Sequence, residues 1–123
     1  MIDLAFAIVV AAALMGTGLA VLYARGPAAK RPHAVIPLVH GALGAAGFVL
    51  LIAVLRHGLP ATDTGTGDFG VIAGALFGLA LAFGGLIAFA AWRGRRPAGL
   101  LVATHAGVAI AGFVVLLTLV VLR

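Results

Sequence analysis

Two histidines stand where water should be absent. His40 lies in VHGALGAAGFVLL and His105 in THAGVAIAGFVVLL, each within a long apolar run. An ionisable ring at membrane depth is costly unless something compensates its lost hydration, so it marks a functional position by default. A neutral imidazole offers one N–H donor and one lone pair. It can ligate a metal, pass a proton, or hold two helices together through a hydrogen bond.

The two segments are copies. With a shift of 65 residues His40 meets His105, Ala46 meets Ala111, and Gly47-Phe48-Val49 meets Gly112-Phe113-Val114. The basic turns before them also correspond, RGPAAKRP from Arg25 to Pro32 against RGRRP from Arg93 to Pro97. Apolar helices match by chance at Leu, Val and Ala. A shared His, Gly-Phe pair and Arg-Pro turn are not such a match, and the chain reads as a tandem duplication.

Four elements must carry these residues. Of the 123 residues 64% are hydrophobic and 9% charged, a composition of integral membrane proteins. Apolar runs at 2–24, 34–55, 69–92 and 98–122 each reach the roughly 20 residues that cross a bilayer as a helix. Backbone groups in lipid must bond within their own segment, so helices are expected. The fold expected is an all-α integral membrane protein, a four-helix transmembrane bundle of two tandem helical hairpins. The chain forms one domain, 1–123, with repeat 1 at 1–58 and repeat 2 at 66–123. Both repeats cross in the same sense, which predicts a pseudo-two-fold axis along the membrane normal.

The charges are sorted. Arg25, Lys30 and Arg31 lie between the first two spans, and Arg93, Arg95 and Arg96 between the last two. The acids Asp3, Asp63 and Asp68 fall at the start and in the middle loop. The positive-inside rule then puts both basic turns in the cytoplasm and both termini outside, as expected for a bacterial inner-membrane protein. Tyr23 and Trp92 suit the cytoplasmic interface. The start is acidic, unlike the basic region of a cleaved signal, so the first span is expected to be retained. Topology accounts for the net charge of +5, and no nucleic-acid partner is expected. There are no cysteines, which removes thiolate metal sites and disulfide chemistry. Apart from Asp3 at the very start of the first, no span contains a carboxylate, which argues against proton-coupled export of cations.

Each histidine lies eight residues beyond its proline, about 12 Å along a helix. Both rings are thus expected at one depth, facing one axis. Gly44 and Gly47 share the face of His40, and Ala109 and Gly112 share that of His105. Small residues there permit close helix packing. They equally leave room for a flat ligand. Gly16-Thr17 and Gly84-Gly85 fall near the same depth, where Thr17 is expected to bond its own preceding turn.

Four chemistries suit the pair. His40 and His105 as axial ligands of one haem b is favoured, with Gly44, Gly47, Ala109 and Gly112 beside the ring. Lys30, Arg31, Arg95 and Arg96 would then neutralise its propionates. Quinone binding or proton relay is the second, and the third is a structural hydrogen bond, of the histidines to each other or to a carbonyl, that fixes helix register. A non-haem metal is least favoured, because no further ligand is at hand. His33 and His57 have no partner at their own depth and read as interfacial.

The paired histidines on a four-helix core resemble the cytochrome b561 type, and more loosely the haem-carrying membrane anchors of respiratory dehydrogenases. The b561 pattern has a haem near each surface, whereas here only the pair on the basic side is present. The resemblance thus implies a single redox centre that exchanges electrons with quinone or a docked redox protein. It implies an electron-transfer subunit rather than a stand-alone enzyme, in the lipid bilayer and open to oligomerisation or a larger complex. The alternative is a haem-free subunit whose glycine-rich faces pack against other membrane helices.

Overall fold

A computed structural model describes residues 1–26, 34–57 and 66–122. Four helices account for nearly all of them: α1 (Ile2–Ala24), α2 (Val35–His57), α3 (Thr66–Trp92) and α4 (Gly99–Leu122). Each is long and apolar enough to cross a membrane, and the described residues contain no strand. The protein is an all-α four-helix bundle of the membrane type.

Charge and backbone geometry fix the helix ends. α3 starts three residues before the apolar run, at Thr66, and places Asp68 in its first turn, where a carboxylate favours the positive end of the helix dipole. α2 runs on to Arg56 and His57, whose basic side chains suit a last turn. α1 and α3 both stop at glycine. Gly26 and Gly94 have φ of 83° and 70°, and their N–H groups bond the carbonyls of Tyr23 and Ala91. A left-handed residue is needed for such a stop, and glycine adopts it without steric cost.

Every helix packs against its two neighbours, in the cyclic order α1, α2, α3, α4. Among the described residues α1 and α3 make no close backbone approach, nor do α2 and α4, so these pairs are diagonal. Diagonal helices are the repeat mates. Positions in α1 and α3 correspond at an offset of 68, as Gly26 does to Gly94. Positions in α2 and α4 correspond at 65. The shorter second turn accounts for the difference.

Ile2, Ala5, Val9 and Ala12 of α1 are buried at alternating spacings of three and four, the seam of an antiparallel helical bundle. The core also takes Leu51 and Val54 of α2, their mates Leu116 and Leu119 of α4, and Ala73 and Ala80 of α3. Large residues on one helix meet glycine on the next. A methyl group on Gly47 would lie 2.7 Å from Val9 Cγ2, and one on Gly112 would lie 3.2 Å from Leu76 Cβ and 3.3 Å from Phe77 Cε1. Val9 and Phe77 are repeat mates. Phe6 stacks on Phe113 at 5.7 Å between α1 and α4; between α2 and α3 there is no such stack, because the mate of Phe6 is Gly74, and Phe48, the mate of Phe113, lies against Gly78. Leu4, Leu14, Leu38, Leu79, Leu86 and Leu100 are exposed, as side chains facing lipid would be.

Candidate functional site

The histidines meet across the bundle. His40 on α2 and His105 on α4 have ring centroids 6.1 Å apart and planes at 84°, although their helices are diagonal. Both rings are half-buried. Each is held by the other helix of its own hairpin. His40 Nδ1 lies 2.9 Å from the Ala12 carbonyl oxygen, and His105 Nδ1 lies 2.9 Å from that of Ala80. Ala12 and Ala80 are repeat mates, so the two contacts are one contact made twice.

A carbonyl can only accept. Each Nδ1 is therefore the protonated nitrogen, and each neutral ring keeps its lone pair on Nε2. Neither ring can then donate to the other through Nε2 without becoming a cation. This disfavours a direct His–His hydrogen bond, whereas the bond of each ring to a carbonyl is what a structural role in fixing helix register requires; each Nε2 keeps a lone pair that this bond does not use.

Small residues surround the pair. A methyl group on Gly16 would stand 2.8 Å from His40 Cε1, and one on Gly84 would stand 3.2 Å from His105 Cε1. A methyl group on Gly44 would lie 3.7 Å from Leu81 Cδ2, and Ala109 is half-buried. Gly47 and Gly112 depart from the open volume expected beside the imidazoles. They are buried against Val9 and against Leu76 and Phe77, because two helical turns carry them into the packed seam. Thr17 donates to the Ala13 carbonyl at 2.9 Å and Thr118 to the Val114 carbonyl at 3.0 Å, each bonding its preceding turn.

From the histidines to the end that carries the basic turns, no described residue is buried; burial is confined to the histidine level and the opposite half. One contact set closes the basic end. Tyr23 Oη donates to the Pro97 carbonyl at 2.8 Å, and Arg96 donates to the Tyr23 carbonyl at 3.0 Å while its guanidinium stands 4.7 Å over the Tyr23 ring. These bonds tie the end of α1 to the start of α4. The repeat mate of Tyr23 is Ala91, so the α2–α3 side has no equivalent tyrosine. Arg96 thus spends one of its five N–H donors on the Tyr23 carbonyl. Arg31, Lys30 and His33 lie outside the described residues. His57 is exposed at the far end of α2, away from the pair.

The separation of the two rings matches that of two imidazoles on one metal. Two imidazoles bound to opposite sides of one metal, at about 2 Å per bond, have ring centres roughly 6 Å apart. Ligation by both rings needs both Nε2 edges turned to one point; the pair stands edge-to-face at 84°, so one ring has to turn to complete it. A histidine that ligates through Nε2 usually donates its Nδ1–H to a carbonyl or carboxylate, which fixes the ring, and both rings make that bond. A metal that needs a larger protein ligand set is not served, for no cluster of three His, Cys, Asp or Glu occurs among the described residues.

No protein-family model, curated protein or solved structure matches the chain.

Sequence spacing alone brings out His40 and His105. It misses the acceptors, which are backbone carbonyls of Ala12 and Ala80. A signal for them does exist: Ala12 with Gly16 recurs as Ala80 with Gly84 at the offset of the basic turns. Tyr23 and Arg96 as a latch leave no comparable trace.

Proposed function

We propose that the chain is a membrane-bound b-type cytochrome that carries one haem between His40 and His105. The observation that carries this reading is the ring pair itself: diagonal helices, centroids 6.1 Å apart, and both Nδ1 atoms on carbonyls. Haem iron ligated by two imidazoles supplies one-electron transfer. The protein's part is to hold both rings, fix through the Nδ1–H bonds which nitrogen is left to ligate, and keep the site dry from one side. Leu51, Leu116, Leu119 and the Val9–Gly47 and Phe77–Gly112 contacts close that side. Arg96 and Arg31 are the cations offered to the propionates. With its basic turns in the cytoplasm the site lies in the inner leaflet of a bacterial inner membrane, facing quinone or a docked redox protein.

The test is the absorption spectrum of the detergent-purified protein. A sharp split α-band on reduction, with one haem per chain, supports the reading. A colourless preparation that still fails to bind added hemin rejects it.

A second reading rests on the unburied half at the basic end. A haem-free subunit could seat that half against the helices of a larger complex. Colourless protein that is stable only within such a complex would carry it.

A further inference from the structure

The carbonyl that receives each histidine is already engaged. In an α-helix the oxygen of residue i accepts from the N–H of residue i+4, so Ala12 O pairs with the Gly16 amide and Ala80 O with the Gly84 amide. Each oxygen has a second lone pair, but the side chain of residue i+4 normally flanks it. Glycine at i+4 removes that cover. The structure assigns Gly16 and Gly84 as positioning residues that uncover the Ala12 and Ala80 carbonyls, admit His40 and His105 edge-on, and so fix which ring nitrogen is free.

The geometry is specific to these two glycines. An added methyl on Gly16 would meet His40 Cε1 at 2.8 Å, Nδ1 at 3.4 Å and Nε2 at 3.6 Å. One on Gly84 would meet His105 Cε1 at 3.2 Å and Nδ1 at 3.5 Å. The same ring edge therefore fills the space above both glycines. Gly18 and Gly85, on the same helices, have nothing within 4 Å of an added methyl. Packing helices closely does not explain this difference, because the atoms excluded are those of the imidazoles. A contact of 2.8 Å must be relieved by moving a ring held at 2.9 Å to its carbonyl. At 3.2 Å a shift of a few tenths of an ångström suffices. Both contacts are tight, the one at Gly16 more so than the one at Gly84.

The functional consequence, a ring held ready to ligate through Nε2, rests on the cytochrome reading. The clamp itself does not. The experiment uses full-length protein labelled with ¹⁵N-histidine, purified in detergent without haem, and then titrated with hemin. Wild-type His40 and His105 should both show the Nδ1-protonated nitrogen pattern. Gly16→Ala should change the His40 pattern and lower hemin affinity about tenfold, the lower end of what loss of a second-shell partner causes. Gly84→Ala should act on His105 alone and more weakly, and it serves as the milder variant should Gly16→Ala not fold. Gly18→Ala and Gly85→Ala should leave both patterns and the affinity at wild-type values. Wild-type patterns in both Gly16→Ala and Gly84→Ala overturn the proposal, as do equal changes in the Gly18→Ala control. If wild type binds no hemin the cytochrome reading falls, and the nitrogen patterns alone then decide the clamp.

Discussion

Gly47 of α2 lies directly against Val9 of α1, so close that a methyl group added to it would stand 2.7 Å from Val9 Cγ2. Its repeat mate Gly112 holds the same relation to Phe77, the mate of Val9. A bulky residue faces a glycine in each hairpin, and each contact lies two helical turns from a histidine. This layer seals the site on the side away from the basic turns.

Overpacking that layer should therefore destabilise the bundle. Gly47→Ala is expected to cost about 1–3 kcal/mol, the usual range for added volume in a packed interior. Val9→Ala on the same chain should recover most of the loss, because it removes the colliding methyl. A double-mutant cycle from detergent unfolding measures the coupling. Additive effects of the two substitutions would show that the two residues do not share a contact.

The latch at the basic end gives a second expectation. Tyr23→Phe keeps the ring under Arg96 but loses the hydroxyl bonded to the Pro97 carbonyl, at a cost of about 0.5–1.5 kcal/mol. Unfolding midpoints should fall accordingly, while the histidine spectra stay at wild type. Ala91→Gly, at the mate position, tests whether the asymmetry matters, for no hydroxyl is lost there.

Orientation is the third. A cysteine placed at Thr64, between the second and third helices, should react with an impermeant thiol reagent from the periplasmic side of intact cells. Reaction only after permeabilisation would place the basic turns outside, against the segregation of Arg25, Lys30, Arg31, Arg93, Arg95 and Arg96.

How much of this is written in the sequence differs by level. Four spans follow from apolar length, and the duplication follows from His, Gly-Phe and Arg-Pro recurring together. The depth of the histidines follows from helical rise. Side-chain volume is harder to read. A glycine seven residues from a histidine shares its face, and only the neighbouring helix decides whether that space is empty or filled. For Gly47 and Gly112 it is filled, by Val9 and by Leu76 and Phe77. The hydrogen-bond acceptors for the imidazoles are main-chain atoms, which any residue supplies, so Ala12 and Ala80 carry no chemical mark of their role. Helix ends shifted by up to three residues because Asp68, Arg56 and His57 are polar yet suit the charge of a helix terminus.

The pairing of His40 with His105 as ligands of one iron is tested most directly by replacing each in turn and recording the oxidised and reduced spectra. Wild-type protein should give a six-coordinate low-spin haem. His40→Ala and His105→Ala should each abolish it, leaving no haem or a five-coordinate high-spin remnant. The double replacement should add little, since residues that share one site are not additive. His33→Ala and His57→Ala should leave the spectrum unchanged. A low-spin bis-histidine spectrum that survives either His40→Ala or His105→Ala, or wild-type protein that takes up no haem, would contradict the account.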